Sequence, residues 1–242
     1  MSQIRHLIVP LLAISFLASV LTAQARTTDY HIRSLGLNVA SLSINHDASA
    51  NTVSVHAKSL ITNAIFPEID NHYNISFNSS YLPQTYAREI AQKKVDDTVT
   101  VSYDHKNKRA SAIHRNPRKS YSYDITADTR DFFTFMTMVS MGKAQAGSYV
   151  IDGNGTLWTA ILSYHGRESI KTSLGNYSCR LYKVRFEPLS EEKTRYVDMV
   201  TFNVLSKSSR VSMWISDDGI AVKSNVRKGA LSMSWEIREI RN

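Results

Sequence analysis

Cysteine is almost absent from this 242-residue sequence, because Cys179 is its single example. No disulfide can form within one chain, so stability has to come from buried apolar side chains and from pairing of strands. Cys179 lies in the alternating run Tyr177–Leu181, where every second residue would face inward, and no cationic or histidine-rich setting adjoins it. We therefore expect a buried structural thiol and not a nucleophile.

Catalytic and phosphate-binding motifs are also missing. The sequence contains no H-E-x-x-H, no G-x-S-x-G and no G-x-x-x-x-G-K. Histidines occur as singles that never pair at i, i+2 or i, i+4, and beyond the first few residues they are His31, His46, His56, His72, His105, His114 and His165. We therefore expect no compact metal site, no cofactor and no enzymatic activity.

An uncharacterised hydrolase stays open as an alternative, because separate carboxylates can be brought together by a fold. Its candidate residues each lie at the end of a predicted element, where active sites are often assembled. They are Asp128, Asp131, Asp217 and Asp218. Each also has a simpler role, either at the start of a helix or in a turn.

Long apolar runs are limited to one, Leu7–Leu21, which follows Arg5 and His6. The run is interrupted and falls short of the roughly 20 apolar residues that cross a bilayer. The small-x-small pattern Ala23-Gln24-Ala25 comes next. These features predict a secretory signal peptide over residues 1–25, cleaved after Ala25, and export to the periplasm. An uncleaved membrane anchor is the alternative.

Linkers and repeats are not found in the remaining sequence, which has no Pro/Gly/Ser-rich stretch and no long block of one charge. We expect residues 26–242 to form a single domain. The composition is 43% hydrophobic and 10% aromatic, which favours a folded core over disorder.

Positive charge is in excess, with a formal net charge of +8. An exported basic protein can meet anionic lipid headgroups, lipoproteins or acidic envelope glycans, whereas nucleic acid is not expected in that compartment. Basic residues are densest between Lys106 and Lys119, and two tyrosines follow. The candidate basic surface consists of Arg115, Arg118, Lys119, Tyr121 and Tyr123. A hairpin tip with a solvated loop is the alternative interpretation.

Alternation of apolar and polar residues recurs after residue 29 and predicts strands. The segments are Tyr30–Ile32, Leu37–Ile44, Val53–Ala57, Tyr73–Phe77, Val99–Tyr103, Ala110–Ala112, Leu157–Leu162, Tyr177–Phe186, Val197–Leu205, Val211–Ile215, Ile220–Val226 and Leu231–Ile237. Polar turns at Asp104–Lys108 and Asp152–Gly155 predict hairpins. The fold class is therefore mainly β.

One helix is predicted, over Asp128–Met141, with Asp128 as its N-cap and Gly142 as its stop. Its phenylalanines fall on one arc that would pack on the sheet, whereas Met138 and Met141 point elsewhere, toward a second surface or a groove. Trp158 lies on a strand that is apolar on both faces, as expected of a strand that lines a cavity. The candidate ligand-binding residues are Phe132, Phe135, Met136, Met138 and Trp158.

Several segments together resemble the bacterial family called domain of unknown function 3108. They are Tyr30–Leu37, Asp131–Phe133, Val211–Gly219, Val222–Val226, Gly229 and Leu231–Ile240. Ala221 and Val222 depart from it, because a proline is expected near that place. The resemblance implies a long antiparallel sheet curled into an incomplete barrel around one helix, similar to periplasmic lipoprotein carriers and receptors of the LolA and LolB type.

Taken together, these features lead us to expect a non-catalytic exported envelope protein that binds a hydrophobic or amphiphilic ligand such as a lipid or lipoprotein. It would be peripheral to a membrane at most. A binding or scaffold protein for envelope polysaccharide or an assembly machine is the other non-enzymatic alternative.

Overall fold

The structure is a computed structural model that describes residues 25–63, 66, 68–92, 95–115, 118–190 and 204–242. The predicted signal peptide, apart from Ala25, lies outside the described residues. The same holds for residues 197–203 of the predicted strand Val197–Leu205. Val204 and Leu205 are described, and they are buried residues that precede the next strand instead of belonging to one.

Fifteen strands and one helix make up the described chain. In order they are β1 (Arg26–Ser34), β2 (Leu37–Asp47), β3 (Thr52–Ser59), β4 (Ile69–Phe77), β5 (Pro83–Gln92), β6 (Val95–Asp104), β7 (Arg109–Arg115), β8 (Arg118–Asp124), β9 (Arg130–Asp131), α1 (Phe132–Ser140), β10 (Gly147–Asp152), β11 (Leu157–Thr172), β12 (Gly175–Pro188), β13 (Ser209–Ser216), β14 (Ala221–Lys228) and β15 (Leu231–Arg241).

All fifteen strands belong to one sheet, in the order β8-β7-β6-β5-β4-β3-β2-β1-β15-β14-β13-β12-β11-β10-β9. Neighbouring strands are antiparallel except β9 and β10, which are parallel. The outermost strands, β8 and β9, are not paired with each other, so the sheet is not closed into a barrel. The predicted mainly-β fold with an incomplete barrel and one principal helix is confirmed. Within the described ranges, no helix has both the length and the apolar character needed to span a bilayer.

The strands form where apolar residues alternate, because successive side chains of a strand point to opposite faces. In β3, Val53, Val55 and Ala57 are buried, while the residues between them are half exposed. The two predicted hairpins are confirmed: β6 pairs with β7 across the 105–108 turn, and β10 pairs with β11 across the 153–156 turn.

Strands β5 and β8 are among those that the alternation did not reveal. The inward residues of β5 include Arg88, which is only 1% exposed, so the apolar pattern is broken at its centre. The inward residue Tyr123 of β8 follows mostly exposed polar and basic residues, so this segment lacks the apolar alternation of a half-buried strand. Basic side chains on an outermost strand discourage pairing with another chain.

The helix begins later than the sequence predicted. Its N-cap is Asp131, whose carboxylate accepts hydrogen bonds from the backbone N–H groups of Phe133 (2.8 Å) and Thr134 (3.0 Å). The predicted cap Asp128 is exposed and accepts a bond from the Thr126 hydroxyl at 2.6 Å. The assignment of Asp128 was wrong because Arg130 and Asp131 are extended and pair with β10.

The end of the helix agrees with the prediction. Gly142 follows the last turn with a φ of +67° and donates its N–H to the Val139 carbonyl at 3.0 Å. Lys143 donates to the Met138 carbonyl at 3.0 Å, which completes the hydrogen bonding of the last turn. A residue with this backbone angle is most often glycine, because glycine has no Cβ to clash with the chain.

Cys179 is confirmed as a buried residue. It is 0% exposed in β12, where it pairs with Ser216 of β13, and burial raises the pKa of its thiol to about 11. The thiol is therefore protonated near neutral pH, and a protonated thiol is a poor nucleophile.

The Asp131 carboxyl predicts a pH dependence of stability. Burial raises its pKa from 3.8 to about 6, against the opposing hydrogen bonds from Thr134 and Phe133. Below about pH 4 the Asp131 carboxyl is protonated in both the folded and the unfolded chain. Between about pH 4 and pH 6 only the folded chain keeps this proton. Through this group the free energy of unfolding should fall by up to about 3 kcal/mol between about pH 4 and pH 7.

Asp131→Asn isolates this effect, since asparagine also caps helices but does not titrate. Urea unfolding at several pH values should show that the free energy of unfolding of the variant increases relative to that of the wild-type protein as the pH rises from about 4 to about 6. A stability difference that stays constant over this range would show that Asp131 does not titrate as described.

Candidate ligand-binding cavity

An apolar cavity lies between α1 and the concave face of the sheet, with a volume of about 430 Å³. Its walls come from β1, β2 and β3 on one side and from β13, β14 and β15 on the other. Protein interiors normally pack without voids much larger than a water molecule, so a space of this size is a specific feature of the fold.

Strand alternation builds the sheet wall. Every second residue of β1 faces the cavity, namely Thr28, Tyr30, Ile32 and Ser34, and the same spacing in β3 runs from Val53 to Ser59. Along β1 these residues extend for about 20 Å at a rise of roughly 3.3 Å per residue. The helix wall consists of residues spaced at three or four, because such residues share one helix face: Phe132, Phe133, Met136, Thr137 and Ser140.

Several apolar wall residues stay half exposed although they point to the inside of the curled sheet. They are Ile32, Ile44, Met136, Met233 and Trp235. Ile32, Ile44, Met136 and Trp235 pack against the buried core and remain partly exposed, so apolar surface stays accessible along this wall.

The cavity reaches the surface at the end where β1 leads into β2. Leu231 lines the cavity and is 59% exposed, and Lys228 also lines this end. Exposed leucines lie in or beside the turns at this end of the sheet: Leu35 is 67% exposed, Leu37 53% and Leu60 49%. The register places them together, because Ser34 pairs with Leu37 of β2 and Met233 of β15, and Leu60 donates its N–H to the Val39 carbonyl. We call Leu35, Leu37, Leu60 and Leu231 the leucine rim.

The opposite end of the cavity carries Arg26 and His46, which are paired residues of β1 and β2. Arg26 donates to the Asp218 carbonyl at 3.0 Å, which fixes the guanidinium beside the turn between β13 and β14. Burial and the neighbouring Arg26 lower the pKa of His46, so its imidazole is neutral at pH 7. The wall at this end therefore carries the charge of Arg26 without a second cation from His46.

The structure places some of the predicted ligand-binding residues on the cavity wall and others in the core. Phe132 and Met136 line the cavity. Phe135 and Met138 do not: they are 0% and 4% exposed on the other flank of α1, where Phe135 packs on Tyr149 with ring centroids 5.3 Å apart. The prediction that Met138 points toward a second surface is therefore wrong, because α1 is buried on that flank too.

Trp158 is also absent from the cavity wall. It lies in β11 beneath the 153–156 turn, so close that a Cβ atom added to Gly153 would be 2.6 Å from its ring. Leu205 approaches the same point. The strand pattern predicted that Trp158 lines a cavity, but it could not say which part of the curled sheet its ring would contact.

The candidate basic surface is only partly a surface. Arg115, Arg118 and Lys119 are exposed, and Arg115 pairs directly with Arg118 across the β7–β8 hairpin. Tyr121 is half-buried, whereas Tyr123 is buried at 8% exposure and faces the concave side. Tyr123 was misassigned because its alternating position sends its ring inward. The basic turn at residues 105–108 lies at the other end of β7, so the structure does not join the two charged segments.

A buried polar cluster, which sequence reasoning missed, joins the two ends of the sheet. We call it the Asp152 cluster: Arg88, Tyr103, Tyr123, Asp152 and Asn154. The Asp152 carboxylate accepts the hydroxyls of Tyr103 of β6 (2.8 Å) and Tyr123 of β8 (2.5 Å), and the Gly155 N–H (2.7 Å). Arg88 of β5 donates to the Asn154 side chain, and its guanidinium lies 5.5 Å from the centroid of the Tyr86 ring.

Burial dominates the electrostatics of this cluster. It raises the pKa of Asp152, while the hydrogen bonds from Tyr123, Gly155 and Tyr103 and the charge of Arg88 act in the opposite direction. Burial followed by the charge of Asp152 raises the pKa values of Tyr103 and Tyr123, which keeps both hydroxyls protonated as donors. A residue such as Asp152 in a Gly-rich turn signals a hairpin in the sequence, and nothing local reveals its distant tyrosine partners.

The carboxylates considered for a hydrolase do not converge. Asp131 caps the helix, Asp128 is exposed, and Asp217 forms an exposed ion pair with Arg167 at 2.5 Å. Asp218 is exposed at the adjoining turn. In the part of the chain that the structure describes, His165 pairs with the Ser163 hydroxyl at 3.0 Å and has no hydrogen bond with Asp217 or Asp218.

Two histidines that are far apart in the sequence lie side by side in the fold. His56 of β3 is the direct cross-strand partner of His72 of β4, and Asp70 of β4 lies beside both. Their spacing in the sequence hides this contact, because only strand register creates it.

Comparison with known proteins identifies the family. Residues 28–234 match the family described as protein of unknown function (DUF3108), and the chain belongs to it. No curated protein matches the chain.

Two of the solved structures that match this chain illustrate the similarity. A beta-barrel-like protein of domain of unknown function DUF1849 from Brucella abortus is 9% identical, with a TM-score of 0.60 over 89% of this chain and 96% of that one. This similarity supports the fold alone. The hypothetical lipoprotein YmcC from Escherichia coli is 10% identical, with a TM-score of 0.35 over 90% of this chain and 86% of that one.

The Asp152 cluster predicts that removal of the Tyr123 hydroxyl lowers the stability of the protein. Tyr123→Phe leaves Asp152 buried with one donor fewer, which should lower the free energy of unfolding by about 1–3 kcal/mol. Tyr164→Phe is the matched control, since Tyr164 is 49% exposed and its hydroxyl has no hydrogen bond within the described residues. Chemical denaturation of both variants measures the difference. Equal stabilities would show that the Tyr123–Asp152 bond does not hold the sheet ends together.

Proposed function

We propose that this protein is an exported, non-catalytic envelope protein that binds an amphiphilic ligand, a lipid or the acyl chains of a lipoprotein, in the cavity between α1 and the concave sheet. Export rests on the amino-terminal signal pattern, and periplasmic residence is the destination that this pattern favours. Ligand binding rests on the cavity. The family brings no activity with it, so the proposal stands on the geometry of this chain.

The observation that carries the proposal is the partly exposed apolar wall of the cavity. The volume of about 430 Å³ falls within the range of about 300–1,000 Å³ typical of small-molecule sites. Each methylene group that an acyl chain buries there contributes about 0.8 kcal/mol. Half-exposed side chains such as Ile32, Met136 and Trp235 provide the surface for that burial.

The polar residues suggest how the ligand is oriented. Lys228 lies at the open end of the cavity beside Leu231, so an anionic or polar headgroup would sit there with its chain directed along β1. The leucine rim lies at the same end of the sheet, and contiguous exposed apolar residues often mark contact with a membrane or a ligand. Loading from a membrane surface through the leucine rim is consistent with this arrangement.

The proposal that the protein is not an enzyme rests on the structural roles of its acidic side chains. Asp131 and Asp152 are buried and serve the helix cap and the Asp152 cluster, and Asp217 pairs with Arg167. A general acid or base needs a reacting atom within hydrogen-bond reach. None of these three carboxylates lines the cavity.

A cavity-filling substitution tests the proposal. Thr137 is half-buried on the cavity face of α1, and Thr137→Trp would place a large ring in the space assigned to the acyl chain. We expect the variant to bind a fluorescent fatty-acid probe at least tenfold more weakly than the wild-type protein, which corresponds to about 1.4 kcal/mol. A fluorescence titration measures this change.

Thr100→Trp is the matched control, because Thr100 is a half-exposed residue of β6 between the buried residues Val99 and Val101 and therefore points to the convex face. Its probe affinity should equal that of the wild-type protein. Loss of binding in both variants, or in neither, would contradict the assignment of the ligand to this cavity.

A further inference from the structure

A group of potential metal ligands lies on the convex face of the sheet, away from the cavity. His56 is on β3, and Asp70 and His72 are on β4. Their neighbours Val55, Ala57, Asn71 and Tyr73 are buried, so the three side chains point outward by alternation. His56 and Asp70 are half exposed and His72 is exposed, which leaves the group open to solvent.

The atoms of this group converge on one point. His56 Nε2 lies 2.7 Å from Asp70 Oδ1, and His72 Nε2 lies 3.4 Å from the same oxygen. One potential ligand atom from each residue lies within 4.8 Å of the others. Ligand atoms about 2.0–2.1 Å from a tetrahedral zinc are about 3.3 Å from one another, so small rotations of the side chains would suffice.

The strand register holds the two imidazoles in this arrangement. His56 and His72 are directly paired, and their rings stack with centroids 4.0 Å apart and planes inclined by 13°. Lys58 contacts the second oxygen of Asp70 at 3.3 Å, which orients the carboxylate as an outer partner of a ligand would. Glu89 of β5 is the register partner of His72 and is exposed on the same face.

From this geometry we propose that His56, Asp70 and His72 bind a divalent first-row transition metal ion. Two imidazoles and one carboxylate form a ligand set that suits zinc, copper, nickel or iron, and the exposed side leaves room for water or a further ligand. The alternative is an ion-paired ladder without metal.

Titration of the metal-free protein tests the site. Zinc affinity is measured calorimetrically, and cobalt is added in parallel because its visible absorption reports the ligand geometry. We expect one equivalent to bind, with affinity lower at pH 5.5 than at pH 7.5, since the imidazoles must lose their protons. His56→Ala, His72→Ala and Asp70→Asn should each weaken zinc binding by more than about tenfold, because even outer contacts are worth about 10–100-fold.

His165→Ala is the matched control, because His165 is an exposed histidine on another strand. It should leave zinc affinity and the cobalt spectrum unchanged. The site would be refuted if zinc bound equally well to the wild-type protein and to His72→Ala, or if no saturable binding occurred. Circular dichroism of each variant establishes that a loss of binding is not a loss of fold. The fatty-acid titration is independent of this result, since none of the three ligands lines the cavity.

Discussion

Burial of Asp152 between strands from both ends of the sheet is the constraint on which the architecture rests. Hydrogen bonds between strands stop at β8 and β9, so side chains have to hold these edges around the helix. Tyr103 and Tyr123 reach Asp152 from β6 and β8, and Arg88 reaches Asn154 from β5. A buried polar group without partners costs more than a satisfied one contributes, so this cluster fixes one way of curling the sheet.

The same curl leaves the cavity. Phe135, Met138 and Val139 fill the core on one flank of α1, and the nine-residue helix is too short to cover the whole concave face. The uncovered part is the wall formed by β1 to β3 and β13 to β15, and the leucine rim lies at its open end. An apolar wall left half exposed is unfavourable in water, and an amphiphile would relieve that cost. The position of the cavity therefore follows from helix length and sheet closure together.

Much of this fold could be predicted from the sequence, because strands with one buried face reveal themselves by alternation. Cys179 and the hairpin at residues 104–108 were identified in this way, whereas Phe132 and Met136, which line the cavity, were selected by the helical periodicity of α1. Strand β5 was missed because buried Arg88 interrupts its apolar pattern, and Asp131 replaced Asp128 as the cap because two residues pair with β10. Contacts between distant strands, such as Tyr123 with Asp152 or His56 with His72, depend on register and curvature that no local pattern encodes.

Ligand binding in an exported protein is the central claim, and native mass spectrometry of the protein isolated from a bacterial envelope fraction without detergent tests it most directly. The account predicts a chain that begins at Arg26 and carries one amphiphile of discrete mass, which organic solvent releases. A chain that retains residues 1–25, or an Arg26 chain recovered solely without ligand, would contradict it.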